Sequence, residues 1–475
     1  MAQNGIDMKK AALISVLIGA LLFAVLLVRD LTCLDAHLKG ARDPERTFRS
    51  RRPPLPNFRH PVDYVAWLNQ YILEGKDERN AATYNGFWVH GDTDPSMPDP
   101  NETVVEKLVE LSRGPTWEAG SHPEIETYME SVAPYIALFC REASKREFYL
   151  QLKRDPHAPW TASLPRSISG QYALYILLAQ AWYEGENQVE RIREAWRVGL
   201  NHSAHLASSG AMLLQNRASS LRLILYRSMR DALRHGVVKG SESKGVLDML
   251  TASEQPASGL TSALYSEWGI SLSLLQALYA GGNLNRTLAE EIVGFDPVSG
   301  TVQLTDELRA SRLRPDRLVP LIDEYFVTVL RLVEQPLTGV SLQELRRLEG
   351  VATAALPLDH PLRWLVRPRL DRVYISALRA LTSLRATATL LLLHQYYASQ
   401  NEWPESLEQL HVPDGSDCLI DPFSECRFIY KRSGDSFMLY SVSEDGIDNG
   451  GNHKEWSQMY ETEAGTDFVF WPVQR

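Results

Sequence analysis

The sequence HQYYASQNEWPESLEQL at residues 394–410 marks the point where a long helix gives way to a small sheet. Upstream of it, apolar residues recur at steps of three and four from Tyr374 to Leu391, which places them on one face of an amphipathic helix. We expect the helix to end near Gln400, because Pro404 lacks a backbone N–H and biases the residue before it away from helical geometry.

The sequence DCLIDPFSECRFIYKRSGDSFMLYSVSEDGIDNGG follows at residues 417–451. Its segments 427–431 and 436–442 are short, aromatic and partly alternating in hydropathy, and the turn sequence Ser-Gly-Asp at 433–435 separates them. This pattern predicts an antiparallel hairpin. The C-terminal part is therefore expected to be a small α+β domain.

The order of these short motifs resembles the C-terminal part of the major pseudopilin of type II secretion systems. The motifs are WPESLEQL at 403–410, DPFS at 421–424, and the LYS, DG and GG sequences within 437–451. The resemblance covers residues 374–471, about a fifth of the chain. It implies a long helix laid across a small antiparallel sheet, with a calcium-binding loop after the last hairpin. The alternative is an unrelated small α+β domain with a glycine-rich loop.

The resemblance also implies which residues bind calcium. In that family the ligands are an aspartate before a glycine, a later aspartate that heads the final strand, and backbone carbonyls near the end of the preceding strand. These positions correspond here to Asp445 and Asp467, with Leu439 and Ser441 as the carbonyl ligands. Asp448 is a further candidate from local chemistry alone, because calcium is bound by carboxylate and carbonyl oxygens gathered in a tight turn.

Two alternatives stay open for this loop. Residues 452–466 make it much longer than the loop of the family, so that Glu461 or Glu463 is an alternative closing ligand. A solvated acidic turn without a bound cation is the other alternative.

Composition limits the classes of protein to consider. The chain has 475 residues, of which 44% are hydrophobic and 23% charged, as in a folded protein of about two to four domains. Its net charge of −10 provides no basic surface for a nucleic-acid backbone. Nucleic acid is therefore not an expected partner.

Residues 11–28, AALISVLIGALLFAVLLV, contain no charged residue and are just long enough to cross a membrane as a helix. Because no small-residue cleavage site follows, we interpret them as an uncleaved transmembrane anchor, with a cleaved signal peptide as the alternative. The segment lacks the Gly-Phe processing site and the early glutamate of pseudopilins. The resemblance therefore does not extend to assembly into a pilus-like filament.

Basic residues lie on both sides of the anchor, so the positive-inside rule does not decide its orientation. Long domains translocate largely regardless of charge, and a calcium loop of this kind works best where calcium is plentiful. We expect residues 1–10 to be cytoplasmic and the bulk of the chain to be periplasmic, held at the bacterial inner membrane by a single span.

Between the anchor and the C-terminal domain, the sequence predicts a spacer and a mainly α region. Residues 29–61 are rich in Arg and Pro and indicate an extended spacer. Residues 62–370 predict an irregular all-α domain, and residues 371–475 the pseudopilin-like α+β domain. Helix-breaking residues, mainly glycine and proline, separate helical patterns at 104–111, 124–147, 170–184, 188–206, 211–235, 262–279, 316–333 and 341–350.

One stretch in this region, LLAQAWYEGENQVERIREAWRVGL at 177–200, is typical of a tetratricopeptide helix pair. No convincing second copy follows at the expected distance of about 34 residues, so an irregular bundle is preferred to a regular solenoid.

The helical region carries little recognisable chemistry. His202 and His205 are spaced to share a metal on one helix face, but no carboxylate supports them, which favours surface or cap histidines. The sequence therefore favours a structural or interaction protein with a protein partner. The alternatives are an enzyme with an unrecognised active site in the helical domain and a tetratricopeptide-like adaptor.

The cysteines leave one question open. Cys418 and Cys426 are close enough in sequence for a small disulfide loop, which requires an oxidising compartment, or they are two free thiols. Cys140 lies in an apolar run and is expected to be a buried core residue.

The anchor is expected to keep the protein in the membrane with its C-terminus outside the cytoplasm. Carbonate extraction should leave the full chain in the membrane pellet, and protease added to intact spheroplasts should remove a C-terminal tag. Release by carbonate, or a tag protected until lysis, would contradict the prediction.

Overall fold

The computed structural model describes residues 52–60, 62–73, 97–145, 153–154, 162–163, 168–253, 258–280, 285, 287–288, 315–354, 370–453 and 465–472. The predicted anchor at 11–28, most of the spacer and the alternative ligands Glu461 and Glu463 lie outside these residues. Residues from Pro53 to Arg475 form one compact unit.

The described part is mainly helical. Its helices are α1 (Tyr64–Leu73), α2 (Glu102–Leu111), α3 (Pro123–Ala143), α4 (Ile168–Trp182), α5 (Gln188–Ala207), α6 (Met212–Arg234), α7 (Ser243–Ser253), α8 (Ser258–Leu278), α9 (Pro315–Val333), α10 (Gly339–Ala354) and α11 (Leu370–Gln400). The strands are β1 (Lys153–Arg154), β2 (Ala162–Ser163), β3 (Ile429–Ser433), β4 (Ser436–Ser441) and β5 (Phe468–Trp471). Each of the eight helical patterns in the sequence corresponds to one of these helices, within a few residues at either end.

Helix α11 is the centre of the unit. Of the helices in the described residues, α11 alone is long and apolar enough to cross a membrane. However, 83% of its most apolar window is buried inside the protein. This burial is that of a core helix. The helix ends as its sequence predicts, because Asn401 has a left-handed φ of 57° and its N–H donates to the Tyr397 carbonyl at 2.8 Å before Trp403 and Pro404 follow.

The helices α6, α7 and α10 pack against α11, as do β4 and β5 of the sheet. Arg230 of α6 joins these layers: its Nη1 donates to Ser383 Oγ at 2.8 Å and Thr387 Oγ1 at 3.0 Å, and its guanidinium lies 5.3 Å from the centre of the Phe470 ring. Buried hydroxyls on α11 thus provide hydrogen-bond acceptors for a buried cation, which a purely apolar helix face would not.

The C-terminal sheet has the order β3-β4-β5 and is antiparallel. The predicted hairpin is confirmed, with Ser433 opposite Ser436 and Gly434 at a left-handed φ of 58° in the turn. The third strand, β5, pairs with β4 after the long loop.

The helix pair α4 and α5 covers the tetratricopeptide-like stretch, and its two tryptophans, Trp182 and Trp196, are fully buried. Trp182 Nε1 donates to the Ser112 carbonyl at 3.1 Å and Trp196 Nε1 to Ser228 Oγ at 3.1 Å, so both indoles bury their area without an unpaired N–H. The preference for an irregular bundle over a regular repeat stays a prediction.

Two glycines allow close contact between the helical region and the C-terminal part. A Cβ on Gly339 would lie 2.3 Å from the Phe423 carbonyl oxygen, and one on Gly240 would lie 2.3 Å from the His394 carbonyl oxygen. The Gly339 N–H also donates to the Pro422 carbonyl at 2.9 Å. The start of α10 is therefore docked directly on the DPFS turn.

We expect Gly339→Ala to lower the free energy of unfolding by about 1–3 kcal/mol, because the new methyl group must displace backbone atoms. Gly350→Ala, in the same helix, is the matched control: no atom lies within 4 Å of its Cβ position, and alanine should stabilise an exposed helix site by about 0.5–1 kcal/mol. Chemical denaturation of the two variants measures the difference. Equal stabilisation by both would show that the docking of α10 contributes nothing.

Candidate metal centre

The acidic loop is closed where its two ends meet between β4 and β5. After β4 the chain turns through Ser443–Asp445, and Gly446 adopts a left-handed φ of 69°. At the other end, the Asp467 N–H donates to the Asn452 carbonyl at 2.8 Å, and Asn452 Nδ2 donates to the Gly465 carbonyl at 2.8 Å. These bonds bring the aspartates of the first segment next to the one that heads β5.

Asp467 is the most unusual of these residues, because it is only 1% exposed. Its Oδ2 accepts hydrogen bonds from the N–H groups of Asn449 at 3.0 Å and Gly451 at 2.7 Å. Its Oδ1 is buried and accepts no hydrogen bond within the described part of the chain. A buried carboxylate oxygen without a partner is costly, so this atom points to a missing cation, water or proton.

Asp445 holds the two ends of the loop together. Its Oδ1 accepts from the Ile447 N–H at 3.0 Å, while its Oδ2 accepts from the Gly465 N–H at 2.8 Å and from Asn449 Nδ2 at 3.1 Å. Burial raises the pKa of Asp467, and the negative charges of Asp448 and Asp445 raise it further. The charges of Asp445 and Asp448 therefore both act on Asp467.

Asp448 is placed differently from the other two. It is exposed, and its Oδ1 accepts from the Tyr440 hydroxyl at 2.7 Å and the Gly450 N–H at 2.9 Å. The hydrogen bond from Tyr440 lowers the pKa of Asp448, and Lys431 contacts the same hydroxyl. Asp448 is thus already stabilised as an anion by protein groups, which makes it a weaker candidate ligand than Asp467.

The two predicted carbonyl ligands lie in β4, where Leu439 is opposite Trp471 and Ser441 is opposite Phe468. The hydroxyl of Ser441 donates to Asp421 Oδ2 at 2.8 Å. Its side chain is therefore directed to the DPFS turn. Coordination of a cation by these two backbone carbonyls stays a prediction.

The oxygen donors fit a hard cation. Within the described residues, no group of three or more His, Cys, Asp or Glu side chains is close enough to hold a metal ion by itself. Asp445 and Asp467 would therefore need carbonyls or waters to complete the six to eight oxygen ligands of calcium. Such a mixed set suits calcium better than zinc, which favours nitrogen and sulfur.

Glu444 connects this loop to the helices, a role that no motif in the sequence signals. The side chains of Glu444 and Arg379 of α11 are both buried and ion-paired, and Arg379 Nε donates to Glu444 Oε1 at 2.5 Å. Arg346 of α10 lies 4.0 Å from Glu444 Oε2. The residue next to Asp445 is thereby fixed to α11.

The histidine pair of the helical region is not a surface or cap feature, so that prediction is wrong. His202 is fully buried with its ring 4.7 Å from that of Phe139, and burial lowers its pKa to about 3. His205 is also buried, with Nε2 2.8 Å from the Lys145 carbonyl oxygen. His205 lines a cavity of about 1100 Å³ that His202 does not line, so the two histidines do not meet in that cavity.

Cys418 and Cys426 are not joined by a disulfide in the structure, and the first is buried whereas the second is exposed. Cys140 is free and half-buried rather than fully buried as predicted, because its position on α3 is partly open to solvent.

Comparisons with protein-family models, with curated proteins and with solved structures found no match to this chain. The resemblance to the major pseudopilin therefore stays a prediction from the quoted motifs.

The Asp421 carboxyl, beside the candidate site, should give the protein a measurable pH dependence. Burial raises its pKa from 3.8 to about 6, although it accepts from the N–H groups of Phe423 and Val442 and from Ser441. Between about pH 4 and 6 the folded state binds more protons than the unfolded state. The contribution of Asp421 to stability is therefore complete below pH 4 and is lost as the pH rises through 6.

We expect Asp421→Asn to destabilise the protein by about 1–3 kcal/mol at pH 4, because its new N–H₂ group faces a backbone donor. This difference should shrink as the pH rises from 4 to 7, since asparagine does not titrate. Urea unfolding at several pH values measures it, with the exposed Asp414→Asn as control. A difference that grows with pH would contradict the assignment.

Proposed function

We propose that the protein is a membrane-anchored structural or interaction protein of the bacterial envelope, whose C-terminal part binds calcium through Asp445 and Asp467. The observation that carries the calcium proposal is the buried Asp467 Oδ1, which has no partner among the described residues. The anchor at 11–28 and the resemblance to a secretion pseudopilin support the location and a link to secretion.

A cation would relieve an electrostatic cost in this loop. The negative charges of Asp448 and Asp445 raise the pKa of Asp467, and a bound divalent ion would attract all three carboxylates. Asp467 would present Oδ1 to the ion while Oδ2 keeps its bonds to Asn449 and Gly451. The flanking glycines let the backbone approach closely, as calcium loops require.

Binding would stabilise the seam between β4 and β5. Asp445 already bonds to Gly465, and Asp467 is the residue directly before β5. An ion shared by these two carboxylates would add a second connection between the segments. Because Glu444 is paired with Arg379, this stabilisation would extend to the end of the loop that contacts α11.

In this proposal the helical region presents a surface to a protein partner. Helix α11 belongs to both regions, because it packs against the helices and against the C-terminal sheet. The alternative of an enzymatic role would need a site in the helical region, and in the cavity of about 1100 Å³ that site would include His205 without His202.

Calcium should raise the melting temperature of the full chain and a chelator should lower it. A ligand that binds only the folded state stabilises it by about 2.7 kcal/mol at a hundredfold excess over Kd. Magnesium should substitute poorly, because it requires a smaller and stricter octahedron. Differential scanning fluorimetry with each ion measures these shifts.

Asp467→Asn separates the charge of this residue from its hydrogen bonds, because the amide oxygen can still accept from Asn449 and Gly451. In chelator this variant should melt at or above the wild-type temperature, and calcium should no longer raise it. Asp445→Ala should also lose the response, whereas the exposed Asp414→Asn should keep it. If Asp467→Asn responds to calcium as the wild type does, the loop is only a solvated acidic turn.

A further inference from the structure

A cavity of about 1100 Å³ lies beside α11, away from the acidic loop. Residues from α5, α6, α8 and α11, the turn between α9 and α10, and the segment before β3 line it. Its volume is at or above the upper end of the range of about 300–1,000 Å³ for small-molecule pockets. The cavity therefore has room for a ligand larger than a typical small metabolite, such as a short peptide segment.

Two arginines provide cationic hydrogen-bond donors in this cavity. Arg222 of α6 is half-buried, its Nε donates to Ser203 Oγ at 3.3 Å, and it has no carboxylate partner within the described residues. Arg385 of α11 reaches the Ile420 carbonyl at 3.3 Å and Asp417 at 3.4 Å, both long contacts, and its buried Nε has no hydrogen-bond partner in the described part of the chain. A guanidinium has five N–H donors, so both retain capacity for an anionic ligand.

The acidic side chains of the cavity are at its outer edge. Asp417 is 71% exposed, and Glu334 and Glu425 are also exposed. The cavity thus combines half-buried cationic groups with an anionic rim. A polyanion such as a nucleotide would be repelled at that rim, while a ligand with one carboxylate and separate basic groups would complement both.

Part of the remaining wall is apolar and built from small and branched side chains, and polar residues such as Gln215, Thr251, Thr261 and Thr338 line the rest. Alanines on α5 and α11 leave room, and the lining apolar residues include Leu260, Val333, Leu337, Leu381 and Leu384. At the start of α8, a Cβ on Gly259 would lie 2.3 Å from the Ala207 carbonyl oxygen, so close packing of α8 on α5 shapes this wall. Such a surface accepts apolar side chains.

We propose that this cavity binds a peptide segment that ends in a free carboxylate, as in the C-terminal tail of a partner protein. The carboxylate would pair with Arg222, whose planar fork matches carboxylate geometry. Apolar side chains of the peptide would pack on the leucines, and its basic groups would meet Asp417, Glu334 and Glu425. This gives the interaction role a chemical class of partner and does not depend on calcium.

The test uses the full chain in detergent with chelator present, so that failure of the calcium proposal cannot affect it. The probe is a pool of random hexapeptides that carry an N-terminal fluorophore and a free C-terminal carboxylate. The matched probe is the same pool with amidated C-termini. Fluorescence polarisation should show at least about tenfold tighter binding of the carboxylate pool, because the amide loses a charge-assisted hydrogen-bonded pair.

Three variants locate the binding. Arg222→Gln should abolish the preference for the carboxylate pool, and Ala377→Trp, at a half-buried wall position on α11, should reduce binding of both pools by occupying the cavity. Arg197→Gln is the control, because Arg197 is 59% exposed and pairs with Glu194 on α5, outside the cavity. Thermal unfolding of each variant confirms that it is folded.

Equal binding of the two pools would overturn the proposal. Unchanged binding by a folded Ala377→Trp variant would also overturn it, as would retention of a fluorescent fatty acid in place of the peptides. If Arg222→Gln does not fold, Ala377→Trp alone decides.

Discussion

The burial of α11 is the constraint on which the rest of the unit depends. An apolar helix of this length must be covered on most of its surface, and the helices before it and the small sheet after it share that role. The helices α6, α7 and α10 cover one part, and β4 and β5 cover another. Polar groups on the helix are tolerated because they are paired, as with Arg230 between Ser383 and Thr387.

Much of this architecture is predictable from local sequence signals. The end of α11 follows from Pro404, and the β3–β4 hairpin follows from alternation around Gly434, since both depend on backbone conformations that these residues favour. By contrast, α7 is not evident, because its first residues include serine and glycine. It is stabilised by packing on α11 and α5. These contacts join distant parts of the chain, so no short stretch of sequence reveals them.

In the candidate metal centre, too, some features are predictable from local sequence and others depend on the fold. The aspartates Asp445, Asp448 and Asp467 are visible as a pattern, but their unequal environments are not. Only the fold buries Asp467 with one oxygen that has no partner among the described residues, while it pairs Asp448 with Tyr440. The pairing of Glu444 with Arg379 joins residues far apart in the chain, and the burial of His202 and His205 results from contacts with α3 and with Lys145 just beyond it.

The domain boundary predicted near residue 370 cuts across the packing of α11. A fragment that begins there retains the sheet, the acidic loop and the whole of α11, but it loses every helix that packs on the other side of α11. Ser383 and Thr387 would lose their cationic partner, and the apolar positions around them would meet water at a cost of about 25 cal/mol for each Å² exposed. The domain boundary read from the sequence predicts that this fragment folds independently. Independent folding requires α11 and the sheet to offset the cost of this exposed apolar surface. Calcium binding is the available source of additional stability, because the ion would act on the sheet face that the fragment keeps.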